Sequence, residues 1–260
     1  MRLQLFKLFA TLITFSLIVQ SASANLLINP TRVQFNPSDR TTDVTLINTS
    51  QVTTTYRLEW AEKKAKANGG YTDLDSAAAA NFPVASKMLR FSPKQVTLKP
   101  NERQTIKLAI RRPQGLADGE YRSHLLFRAL PPTKNSVEKD QQTASTVIAV
   151  VLNFAIPVVI QQGTPNYTVN ANSARILFNP SKKDGSVEVD LSRSGIHSMI
   201  GNISAYWTPA GGKEQLIAKL GDYNFWPELS TARATLHWVG TDFAPADGKL
   251  RLVYEGAKDF

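Results

Sequence analysis

The sequence predicts an all-β protein made of two β-sandwich units. Three observations support this. Apolar and polar residues alternate over short runs, Gly, Pro, Asn and Asp close those runs at frequent intervals, and no long amphipathic helix pattern occurs.

The order of elements begins with residues 1–24, which read as a secretory signal peptide. Arg2 and Lys7 precede an apolar stretch from Leu8 to Val19, and Ala22-Ser23-Ala24 forms a small-residue cleavage site. The stretch is short for a membrane span, so the expected product is exported. Leu26 to Phe35, Thr42 to Asn48 and Thr53 to Trp60 read as the first strands, separated by Asn-Pro-Ser-Asp and Asn-Thr-Ser turns. Lys63 to Phe82 breaks the rhythm as an inserted loop with a helical turn. Lys87 to Phe91, Gln95 to Leu98, Gln104 to Arg111 and Tyr121 to Leu130 resume it, and Pro131-Pro132 closes this series. About seven strands with regular turns predict a β-sandwich for residues 25–160.

After the polar segment from Thr133 to Ala144 comes the most distinctive stretch, Ser145 to Ile160. Val147, Ala149 and Val151 alternate there with Ile148, Val150, Leu152 and Phe154, so both faces are apolar. The twelve residues before Pro157 would span about 40 Å, roughly twice an ordinary strand. A strand apolar on both faces needs two partners: one face covers its own core, and the other must meet a second sheet or a second molecule. Residues 161–260 open at Gln161-Gln162-Gly163, a hinge pattern. They contain six further candidate strands: Arg175 to Phe178, Ser186 to Leu191, Asn202 to Trp207, Gln215 to Leu220, Ala232 to Val239 and Lys249 to Tyr254.

Composition excludes several function classes. The chain lacks cysteine, which removes thiol chemistry and disulfide stapling. Its net charge of +9 is concentrated early: residues 25–160 carry 18 Lys and Arg against 11 Asp and Glu, whereas residues 161–260 carry 10 of each. That asymmetry points to an anionic or carboxylate-bearing partner for the first unit. There is no basic helix or aromatic-basic repeat for nucleic acid. His124, His197 and His237 have no metal-type spacing, and no nucleophile elbow or phosphate loop occurs, so neither an enzyme, a cofactor nor a small-molecule substrate is expected. Trp60, Trp207, Trp226 and Trp238 read as core or domain-packing aromatics.

Three stretches of the first unit carry a family resemblance: residues 29–35 (NPTRVQF), 91–104 (FSPKQVTLKPNERQ) and 119–132 (GEYRSHLLFRALPP). The second unit adds residues 191–195 (LSRSG), Gly201-Asn202-Ile203 and residues 248–254 (GKLRLVY). In order and spacing the chain resembles the periplasmic chaperones of the chaperone-usher pilus pathway, PapD-like, and most closely their archaic, sigma-type branch. The resemblance implies two immunoglobulin-like β-sandwich domains in a boomerang arrangement, located in the periplasm. It implies that the last strand of the first domain is donated to pilus subunits that lack a strand of their own, before delivery to an outer-membrane usher. Main-chain hydrogen bonds then give affinity while alternate side chains fill the groove. Covering five donor residues would yield on the order of 10 kcal/mol before association costs.

The implied donor residues are Val147, Ile148, Ala149, Val150, Val151 and Leu152. The family pattern turns Val147, Ala149 and Val151 toward the client, and a one-residue bulge would exchange the two sets. The best-known members clamp the client's terminal carboxylate with an Arg and a Lys. Arg32 matches that Arg, Leu152 stands near the Lys position, and Arg122 and Arg90 are further anchor candidates. A secreted immunoglobulin-like adhesion module and a structural pilus protein are the alternative readings. An exposed apolar strand is an aggregation hazard, so the free protein is expected to self-associate through its first domain and to become one-to-one with a subunit. Light scattering at high concentration checks this, and a strictly monomeric result would count against it.

Overall fold

The alternation in the first half produces two facing sheets. The computed structural model describes residues 25–131, 152–240, 243–244 and 246–256. A four-stranded sheet has the order β1 (Leu26–Asn29), β3 (Thr41–Asn48), β9 (Arg103–Ile110), β7 (Leu89–Ser92). Facing it, a five-stranded sheet has the order β2 (Val33–Phe35), β11 (Asn153–Gln162), β10 (Gly119–Ala129), β4 (Thr54–Ala61), β8 (Gln95–Leu98). One residue in two from each sheet enters a shared core. Val44, Leu46, Ile106 and Leu108 come from one side, and Leu125, Phe127, Ile156, Val158 and Ile160 from the other.

The first predicted strand, Leu26 to Phe35, is two strands that belong to different sheets. β1 pairs antiparallel with β3, whereas β2 pairs parallel with β11. Pro30 lies between them and has no N–H to continue the first ladder. Buried Asn48 organises the turn after β3. Its Nδ2 donates to the carbonyls of Val52 and Leu98 at 2.8 and 2.9 Å, and its Oδ1 accepts from the Ser50 N–H at 3.0 Å. Within the inserted segment, β5 (Lys63–Ala65) and β6 (Tyr71–Asp73) form a two-stranded sheet of their own. The expected helical turn follows as α1 (Ser76–Ala80), where Asp75 Oδ1 accepts the Ala78 N–H at 2.8 Å as N-cap.

The second half is one six-stranded antiparallel sheet with the order β12 (Tyr167–Asn179), β13 (Asp184–Gly195), β16 (Thr231–Trp238), β15 (Gln215–Phe225), β14 (Met199–Pro209), β17 (Gly248–Gly256). Val169 and Ile176 from one edge share a core with Leu250 and Leu252 from the other, around Val187, Val189, Ile217 and Leu236. Both edges can reach one core only if the sheet folds over itself, which makes this unit sandwich-like. The sequence predicted only the end of β12, because residues 167–174 are mostly polar and the strand is an exposed edge with a bulge between Ala171 and Ser173. β11 runs through the expected hinge at residue 161 and ends at Gln162. Phe127 is fully buried in the first core. Phe127→Ala should therefore lower the stability of that unit by about 3–5 kcal/mol, measured by urea denaturation, while leaving the second unit's transition in place.

Candidate functional site between the two units

The outward face of the five-stranded sheet is covered along part of its width by the second unit. On β10, Ser123, Leu125 and Phe127 are buried on the core side, so Glu120, Arg122, His124 and Leu126 fall on the outward side. The ladder sets Arg122 opposite Val159 and His124 opposite Pro157. Val159 in turn lies beside Gln34, two residues after Arg32. The turn that follows β15 packs onto this face, where Trp226 forms a small apolar cluster with Val159 and Ala65.

Two guanidinium groups lie over the Trp226 ring. Arg122 Cζ is 4.0 Å and Arg32 Cζ 4.8 Å from the ring centroid. Desolvated cation–π contacts of this kind contribute about 2 kcal/mol each. The indole is fixed by its Nε1–H, which donates to Tyr71 Oη at 3.1 Å. Arg122 forms an ion pair with Glu228, and its Nη2 also donates to the Lys63 carbonyl at 3.3 Å. Glu228 Oε1 additionally accepts the Ala65 N–H at 2.9 Å. Arg32 donates through Nη1 to Asn224 Oδ1 at 2.5 Å and through Nη2 to Gln34 Oε1 at 3.5 Å. Burial pulls the Arg32 pKa down to about 10; Glu120 and Tyr71 oppose the shift, and neighbouring Arg122 adds to it. Arg32 still carries its full charge at neutral pH.

The seam continues toward the linker. Glu120 Oε2 accepts from the Ser198 N–H at 2.9 Å and from its hydroxyl at 2.5 Å. His197 Nδ1 accepts the Asn166 N–H at 3.1 Å, so its Nε2 carries the proton and donates to the Gln162 carbonyl at 2.9 Å. A cavity of about 260 Å³ opens beside Arg122, lined also by Lys64, Phe82, Pro83, Glu120, Pro227 and Glu228.

The structure brings Arg32 and Arg122 onto one indole. It places Arg90 on the other side of the sandwich, where β7 buries Leu89 and Phe91 and turns Arg90 outward, with its Nη1 on the Leu89 carbonyl at 2.8 Å. Arg122 is buried, with 3% of its surface exposed. Val147, Ile148, Ala149, Val150 and Val151 lie outside the described residues. Leu152, just ahead of β11, is 45% exposed. Sequence reasoning missed Tyr71, Asn224 and Glu228 and assigned Trp226 only a general packing role. Tyr71 sits on a short hairpin and Trp226 and Glu228 in a turn, where no periodicity announces which way a side chain points, and Asn224 lies at the end of β15, beyond the strand that the sequence predicted. The Trp-Pro-Glu run at 226–228, a large aromatic in a turn signal, is the trace they leave.

His124 lies beneath Tyr71, with ring centroids 4.7 Å apart, and neither ring nitrogen has a hydrogen-bond partner among the described residues. Burial, then Arg122 and Lys63, lower its pKa to about 3 against an opposing pull from Asp73. The unfolded chain therefore takes up a proton near pH 6.5 that the folded chain refuses until about pH 3. His124 should make stability fall by a few kcal/mol as pH drops through that window. His124→Phe should flatten the decline in denaturation midpoints measured between pH 7 and 4.

Residues 25–161 match the family described as pili and flagellar-assembly chaperone, PapD N-terminal domain. No curated protein matches the chain. Among solved structures, the YadV chaperone is 14% identical, with 91% of this chain and 95% of that one covered and a TM-score of 0.45. The CsuC–CsuE chaperone-tip adhesion subunit pre-assembly complex, from archaic chaperone-usher Csu pili of Acinetobacter baumannii, gives 13% identity, coverage of 89% and 98%, and a TM-score of 0.42. The CupB2 chaperone of Pseudomonas aeruginosa gives 14%, coverage of 89% and 100%, and a TM-score of 0.42.

Proposed function

The chain belongs to the family of pili and flagellar-assembly chaperones, and from that premise we propose that it stabilises pilus subunits in the periplasm by lending them a strand. The strand is Val147 to Leu152, and the loaded subunit passes to an outer-membrane usher. The observation that carries this reading is the division of roles at the start of β11. Phe154, Ile156, Val158 and Ile160 are committed to the first core, whereas Leu152, just ahead of them and in phase with them, is exposed. The apolar sequence runs on for five more residues beyond that point. Continued without a bulge, the alternation puts Ile148, Val150 and Leu152 in phase with the core set. Val147, Ala149 and Val151 then form the opposite face, available to a client groove.

The client's terminal carboxylate is assigned to Arg32. Two of its N–H groups bond the neutral amides of Asn224 and Gln34, and a carboxylate is a stronger acceptor for those N–H groups. Arg122 already faces the Glu228 carboxylate and serves as the neighbouring cation, while Arg90 points away from the cleft. Leu152 in place of a clamp Lys supports membership of the archaic, sigma-type branch. Residues 25–160 act as the client-holding domain and residues 161–260 as its partner.

Co-expression with the pilin encoded nearby tests the reading. Ala149→Asp should cut the recovered complex by at least about 100-fold, since the charge would have to be buried in an apolar groove. Arg32→Ala should reduce recovery about tenfold, the cost of a lost charge-assisted pair. Undiminished recovery of the Asp variant would end the donor-strand reading, and undiminished recovery of the Ala variant would remove Arg32 from it.

A further inference from the structure

We infer that Trp226 is the positioning residue for Arg32, so that the second unit supplies the platform of a site whose cation comes from the first. The inference rests on the carboxylate role proposed for Arg32 and adds a residue to it. Trp226 is 3% exposed, yet it is absent from the core of its own unit. Its buried neighbours, Ala65 and Val159, both belong to the first unit, and only partly buried Leu229 comes from its own. A large aromatic placed this way contributes little to the packing of its own sheet.

What it does offer is a π face to two cations. Arg32 precedes a three-residue edge strand and carries a long side chain with many rotamers. Its charge is disfavoured both by burial and by Arg122 alongside. A guanidinium that stacks on an indole keeps its in-plane N–H groups free to bond at their edges. Trp226 therefore answers both difficulties: it holds the plane of Arg32 and offsets the repulsion, while the edge N–H groups stay on the Asn224 and Gln34 oxygens that a carboxylate would replace. The platform is itself braced, since Tyr71 Oη accepts the indole N–H.

The test uses the full mature chain and the pentapeptide acetyl-Val-Thr-Val-Thr-Val, prepared once as the free carboxylate and once as the carboxamide, with both affinities read by titration calorimetry. The wild type should prefer the carboxylate by about tenfold, and Arg32→Ala should abolish the preference. W226F, which keeps a π face, should retain most of it. W226L, which fills the space without one, should bring it below about twofold. W226M is read in the same way should W226L fail to fold. A merely structural role for Trp226 would weaken both peptides alike and leave their ratio intact. A full preference in W226L or W226M, lost in Arg32→Ala, overturns the inference and spares the Arg32 reading. No preference in the wild type overturns both.

Discussion

A β-sheet presents two faces, and the five-stranded sheet of this chain has to satisfy both. Its inner face is conventional, with alternate apolar residues meeting the opposite sheet. Its outer face carries Arg122 and His124 in the middle of β10, and a dry guanidinium needs partners. The second unit and the β5–β6 hairpin cover that face. They bring with them the acceptors, a counter-charge and an aromatic ring. The relation between the two units thus follows from the polar residues that β10 turns away from its own core.

The electrostatics of the seam are finely divided. Glu228 neutralises Arg122, and breaking such a pair costs about 3–5 kcal/mol because a buried charge is left behind, although the intact pair adds little net stability. Arg32 shares the same ring and is held through amide oxygens. Arg122 is thus matched to the Glu228 carboxylate, while Arg32 also feels the charge of Glu120. His124, kept neutral by burial beneath Tyr71, adds no charge to this group at the pH of an ordinary aqueous compartment.

The sandwich of the first half was legible because Val44, Leu46, Ile106, Leu108 and their neighbours keep a strict period of two, and solvent contrast makes that period visible. β12 was not fully legible. Thr168, Asn170, Asn172 and Ser173 make its first half polar on both sides, and an edge strand with little to bury has no pattern to read. The switch between β1 and β2 was read as one strand because both pieces are apolar at alternate positions, and only Pro30 marks the break. Arg32 stood out through its place in a familiar run of residues. Its platform did not, since Trp226 and Glu228 approach from a turn and Tyr71 from a short hairpin, all separated from it by stretches of chain, and a contact of that kind is written in the tertiary structure alone.

The β5–β6 hairpin belongs to none of the three large sheets, yet its residues touch both units: Ala65 holds Glu228, and Tyr71 holds Trp226 while covering His124. It behaves as a strut braced across an elbow. Lengthening or shortening its tip at Lys66–Gly70 would reset the opening of that elbow while sparing both hydrophobic interiors.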